Sequence, residues 1–144
     1  MTNQLTNVPL KNSFAYFNAN KSESALNALI FDLKKAKLLV LVDRNGLEFS
    51  DSIDGKTSIK KGSKIRFLKI FDQNKNAYFP LFTDWGEIEL WVKNLESVFG
   101  WAMPAKEALG ISLTSPNNKG IIINPMSDNW GMDREQISNF LNEV

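Results

Sequence analysis

The chain has 144 residues, 43% of them hydrophobic and 11% aromatic, which is apolar mass enough for one globular domain and excludes a disordered chain or a coiled coil. It contains neither cysteine nor histidine, so disulfides, thiol or imidazole catalysis and cysteine–histidine zinc sites are all removed. The net charge of +1 hides an asymmetry: residues 1–71 are net +6 and residues 72–144 net −5, which two solvated faces of opposite sign explain without a binding partner.

Residues 1–13 show no basic segment followed by an apolar run, and the longest aliphatic run, residues 38–42, is too short to span a membrane; a cytoplasmic protein is expected. Residues 1–21 are polar with scattered Val8, Leu10, Phe14, Tyr16 and Phe17, and are read as an extended N-terminal arm preceding a domain over 22–144. Ser22 can cap a helix whose Leu26, Leu29, Ile30 and Leu33 form one apolar stripe, with Lys34, Lys35 and Lys37 at its negative end. Residues 38–42 form a strand, Asn45-Gly46 a tight turn, and residues 47–50 the returning strand. Residues 52–63 read as a loop, and residues 65–71 as a strand that turns at 73–76 into a second hairpin.

The stretch YFPLFTDWGEIELWVKN, residues 78–94, is the organising element. An aromatic strand runs into a helix that Asp84 caps, with Glu87 placed to reach back, and Ile88, Trp91, Val92 and Leu95 make its stripe. Residues 98–103 form a strand, and Pro104 opens a brief helix that Gly110 ends. Residues 114–119 form a turn, Ile121-Ile122-Ile123 a strand stopped at Asn124-Pro125, and Asp133 with Gln136 begins a last helix with Ile137, Phe140, Leu141 and Val144 buried.

Several constellations resemble functional sites. Asp72-x-Asn74-x-Asn76 opens like a calcium loop, but its sixth position is Ala77 and its twelfth Thr83, so it reads as a hairpin turn and no metal or cofactor is expected. Lys56, Lys60, Lys61, Lys64, Arg66 and Lys69 alternate with core-type aromatics, which favours a solvated edge over a nucleic-acid surface. Asp84, Glu87, Glu89, Asp128 and Asp133 are candidate paired carboxylates, two of them explained as caps; no enzyme is expected. The nine residues after Pro125 hold Met126, Trp130 and Met132 without periodicity and read as a loop on a rigid strand end. A binding site is therefore expected at Thr83, Asp84, Trp85, Asn124, Pro125 and Trp130, the two strand ends lying together if those strands are parallel. For Trp130 the competing reading is that it packs the last helix onto the sheet.

YFPLFT at 78–83 followed by an acidic helix start, and GIIINP at 120–125, resemble the N-terminal domain of the SseB family, a bacterial group named for enhanced serine sensitivity and also labelled type III secretion SseB-like. Residues 25–42 resemble the family's preceding helix and strand, with Leu41 where that pattern has proline. The resemblance implies a small bacterial α+β protein with no known catalytic set, and this chain is expected to lack the family's C-terminal domain. Together these readings predict one α+β domain, a mixed sheet of about five or six strands with three main helices. The function expected is a non-catalytic protein-interaction module with an unknown protein partner and no membrane contact. A small-ligand or regulatory protein linked to amino-acid tolerance is the alternative.

Overall fold

The computed structural model describes residues 5–44 and 65–142. The expected Asn45-Gly46 turn, the strand at 47–50, the loop at 52–63, four of the basic-run lysines and Val144 lie outside those residues.

The elements follow the order α1 (Val8–Ala19), α2 (Glu23–Lys35), β1 (Lys37–Asp43), β2 (Ile70–Phe71), β3 (Ala77–Phe82), α3 (Trp85–Trp91), a 3-10 turn (Leu95–Ser97), β4 (Val98–Pro104), α4 (Ala105–Leu113), β5 (Asn118–Ile123), β6 (Trp130–Asp133) and α5 (Arg134–Asn142). Among the described residues the strands form one mixed six-stranded sheet of order β4-β1-β3-β5-β6, with β2 on β3. The fold is α+β, as the patterning predicts. Among the described strands only β3 and β5 pair in parallel, in register Phe79 opposite Ile121 and Leu81 opposite Ile123. The α3–β4–α4 excursion supplies the crossover that such a pair requires.

The sheet has two unequal faces. Val40, Phe79, Leu81, Ile121 and Ile123 meet a layer of α1, α2, α4 and α5 to form the main core. On the other face α3 covers one end, burying Ile88 against Leu39, Leu41 and Phe82. Trp91 stacks on Phe82 with ring centroids 5.9 Å apart. Such burial contributes about 1.5–3 kcal/mol per large apolar side chain.

Several local expectations are corrected. The supposed extended arm is helix α1: Leu10 and Phe14 are fully buried and Phe17 packs beside them, an i, i+4, i+7 stripe obscured by the exposed Val8 and Tyr16. The strand expected over 65–71 is broken. Leu68 N–H donates to Leu41 O and Asp43 N–H to Arg66 O, antiparallel to β1, whereas Ile70-Phe71 runs antiparallel to β3. Because β1 and β3 are themselves antiparallel, the chain reverses near Lys69. In α2 the buried stripe is Ala25, Leu29 and Leu33, with Leu26 at the surface. Helix α3 stops at Trp91, leaving Val92 and Leu95 to pack from the following turn. Pro104 ends β4 and caps α4, which runs through Gly110 to Leu113, and β5 already begins at Asn118. The residues after Pro125 are not all loop, since Trp130–Asp133 adds a short edge strand to β5.

Candidate functional site at the ends of two parallel strands

Parallel pairing sets the carboxyl ends of β3 and β5 side by side, which brings Thr83 and Asn124 into contact. Both are fully buried. Asn124 takes a left-handed backbone at φ 52°, a conformation that asparagine tolerates better than most residues and that ends the strand. Its Oδ1 accepts from the Thr83 N–H at 3.0 Å, and its Nδ2 donates to Thr83 Oγ1 at 3.0 Å and to Asp128 Oδ2 at 2.8 Å. Its N–H donates to Leu81 O, and its carbonyl accepts from Ser127 and Asn129. One amide thus clamps two strands and folds the following turn.

Asp84 caps α3, accepting from the Glu87 N–H at 3.2 Å, as the sequence predicts. Its other oxygen accepts from Thr83 Oγ1 at 2.8 Å and pairs with Lys11 Nζ at 3.0 Å. Glu87 does not reach back to the cap. It is buried, with Oε2 3.5 Å from Lys11 Nζ and Oε1 accepting from Ser127 Oγ at 2.5 Å. The hydrogen bond to Asp84 is the main cause holding the Lys11 ammonium above its ordinary pKa, against the opposing effect of partial burial. Asn7 completes the cluster from the start of α1, its Nδ2 donating to Thr83 O and Lys37 O at 2.7 Å each.

Thr83, Asp84 and Asn124 of the expected site are therefore joined, and Pro125 sits half-buried beside them. Trp85 lies elsewhere, its ring against Gly100, where a Cβ would approach Cζ3 to 3.1 Å. Trp130 is half-buried in the main core and meets Phe14 with centroids 5.9 Å apart. Asn7, Lys11, Glu87, Ser127 and Asp128 complete the network. Of these the sequence marks only Glu87 and Asp128, as members of a carboxylate set.

Asp72, Asp133 and Lys69, also singled out in the sequence, have structural partners. Asp72 accepts from the N–H groups of Asn74 and Asn76, each at 2.9 Å. The Asn76 backbone bond is the leading cause holding its carboxyl below the usual range. Asp133 and Gln136 cap α5 reciprocally at 2.8 Å. Lys69 donates to Ser115 Oγ at 3.2 Å. Among the described residues, no group of three or more metal-ligating side chains is placed to hold an ion, and no helix is long and apolar enough to cross a membrane.

The cluster ties α1, the end of β3, the start of α3 and the turn after β5 together: its carboxylates accept from ammonium, hydroxyl and amide donors, and the bond to Asp84 favours the charged form of Lys11. Three exposed apolar side chains lie close to it in sequence: Val8, one turn before Lys11; Leu90, one turn after Glu87; and Met126, next to Ser127.

No curated protein and no solved structure matches this chain. The family model for the SseB protein N-terminal domain matches residues 10–139, from the buried Leu10 of α1 to within α5, and the chain belongs to that family.

Proposed function

We propose that this SseB-like chain is a non-catalytic protein-interaction module of the bacterial cytoplasm, binding through the surface around the ends of β3 and β5. One observation supports this most. The polar groups there are engaged with one another, while Val8 of α1, Leu90 of α3 and Met126 of the turn after β5 are 55%, 57% and 56% exposed. Large apolar side chains left exposed on elements that a polar cluster holds together are what an interaction surface offers a partner. A photo-crosslinking residue at Met126, with Phe71 at the opposite end of β3 as control, tests it inside the organism that makes the protein. Met126 is expected to capture one partner reproducibly and Phe71 none. Equal capture at both, or none at Met126, refutes the reading.

A second reading, a small-ligand protein, has its own observation. A shallow cavity of about 510 Å³ opens on the sheet face, with Tyr78, Ile122 and Gly131 on its lining and Lys119 and Asp133 at hand for a charged ligand. Under that reading a panel of amino acids at millimolar concentration raises the melting temperature, and Tyr78→Ala abolishes the rise. An unchanged melting temperature across the panel counts against it.

A further inference from the structure

We infer that the outer edge of β6 receives an extended segment of a partner polypeptide, which pairs with Gly131 and lays an aromatic side chain over it. The surface is not the one around Met126, so the inference goes beyond the preceding reading and does not depend on it.

Strand β6 ends the sheet, and the register decides which of its backbone groups face outwards. The Asn124 N–H donates to Leu81 O, so β5 turns its even-numbered residues towards β3 and presents Ile121 and Ile123 to β6. Opposite these two stand Met132 and Trp130, whose backbone groups therefore point inwards. Gly131, between them, points its N–H and C=O away from the sheet, is exposed, and has no hydrogen-bond partner there among the described residues. A residue added antiparallel and opposite Gly131 can exchange both main-chain bonds with it.

The side chain of that residue is specified by what Gly131 lacks. A Cβ at position 131 would stand 3.9 Å from Ile122 Cγ1, and Gly131, Ile122 and Tyr78 line one cavity of about 510 Å³. With no side chain on the edge strand, a flat ring from the added strand can lean across the glycine onto Ile122, as aromatic residues do beside edge glycines. Charge does not select the segment. Lys119 and Asp133 bring one charge of each sign to the lining, and the Asp133 carboxylate already caps α5. The N–H groups of Asn129 and Asp133 are held by Asn124 O and Gln136 Oε1, so the pairing is short and the ring supplies much of the affinity.

The probe is a capped peptide with a central phenylalanine between valines and threonines, titrated into the isotopically labelled protein. Beside it run a copy with alanine for the phenylalanine and a copy with that phenylalanine N-methylated. Amide shifts are expected at Gly131, Ile122 and Tyr78. The alanine copy is expected to bind at least about tenfold more weakly, as loss of a buried ring implies. The N-methyl copy is expected to bind several-fold more weakly, because it cannot donate to the Gly131 carbonyl. Ile122→Thr, which keeps a β-branched residue in the strand, is expected to weaken the phenylalanine peptide several-fold.

No shift at Gly131 with millimolar peptide overturns the inference, as does equal binding of either copy or undiminished affinity in the Ile122→Thr protein. N-acetylphenylalanine amide binding as tightly as the peptide overturns it too, because the cavity then takes a free small molecule. So does self-association of the protein that the peptide reverses, since the occupant is then a second copy. Capture at Met126 moves none of these readouts, so the two claims stand or fall separately.

Discussion

Asn124 joins the ends of β3 and β5 by two separable means. Its backbone adopts φ 52°, and its side chain makes two hydrogen bonds across the strand ends and a third to Asp128 in the following turn. Asn124→Gly keeps the backbone allowed but leaves the buried Thr83 N–H unpaired, a loss of about 1–3 kcal/mol in urea unfolding. Asn124→Ala adds left-handed strain of about 1–2 kcal/mol and is expected to be the worse of the two. A glycine variant as stable as the parent would show that the amide clamp contributes nothing. Asp72 supplies a pH handle. Its pKa is lowered by the turn's N–H groups, so its contribution is present above the ordinary carboxylate pKa of 3.8 and is lost as pH falls through the depressed folded value. Asp72→Asn is expected to flatten the acid side of the stability–pH curve below that point, while an unchanged acid limb contradicts the assignment.

At the scale of elements, what the sequence shows is what local chemistry decides. The caps at Ser22, Asp84 and Asp133 are legible because their N–H partners lie three residues away. The true partners of Glu87 are not, because Lys11 and Ser127 are 76 and 40 residues distant and nothing local favours them over the cap. Strand β6 is hidden for the same reason: Trp-Gly-Met-Asp is a poor strand by propensity and is extended by its pairing with β5. Gly110 is the reverse error, since glycine is a common stop signal, yet here α4 continues through it with nothing within 4 Å of the missing Cβ. Gly110→Ala is therefore expected to stabilise the protein by about 0.5–1 kcal/mol, raising the thermal midpoint. A destabilised variant would mean that the helix does not pass through this position.

For the whole molecule, the decisive contact is between the first helix and the rest of the core. Phe14 is fully buried, touches Trp130 near the other end of the chain, and belongs to the cluster containing Leu81, Ile123 and Phe140. Phe14→Ala is expected to cost about 3–5 kcal/mol by calorimetry or urea titration, whereas an arm lightly docked on the surface would lose little. The α+β class was legible because strand runs and helical stripes are both strong here, and the family resemblance rested on two of those strands. The site was legible only where the chain order put parallel strand ends together; Lys11 and Asn7 reach it from a helix that periodicity did not reveal. The central claim is that the polar cluster is a frame and that the apolar side chains around it meet the partner. Its most direct test is the yield of the Met126 cross-linked adduct in a Leu90→Ser background, measured beside the melting temperature. The account predicts at least about a fivefold fall in adduct, as expected for a lost anchor of about 1 kcal/mol or more, with the melting temperature unchanged because Leu90 is 57% exposed. Undiminished adduct from a folded Leu90→Ser protein would contradict it.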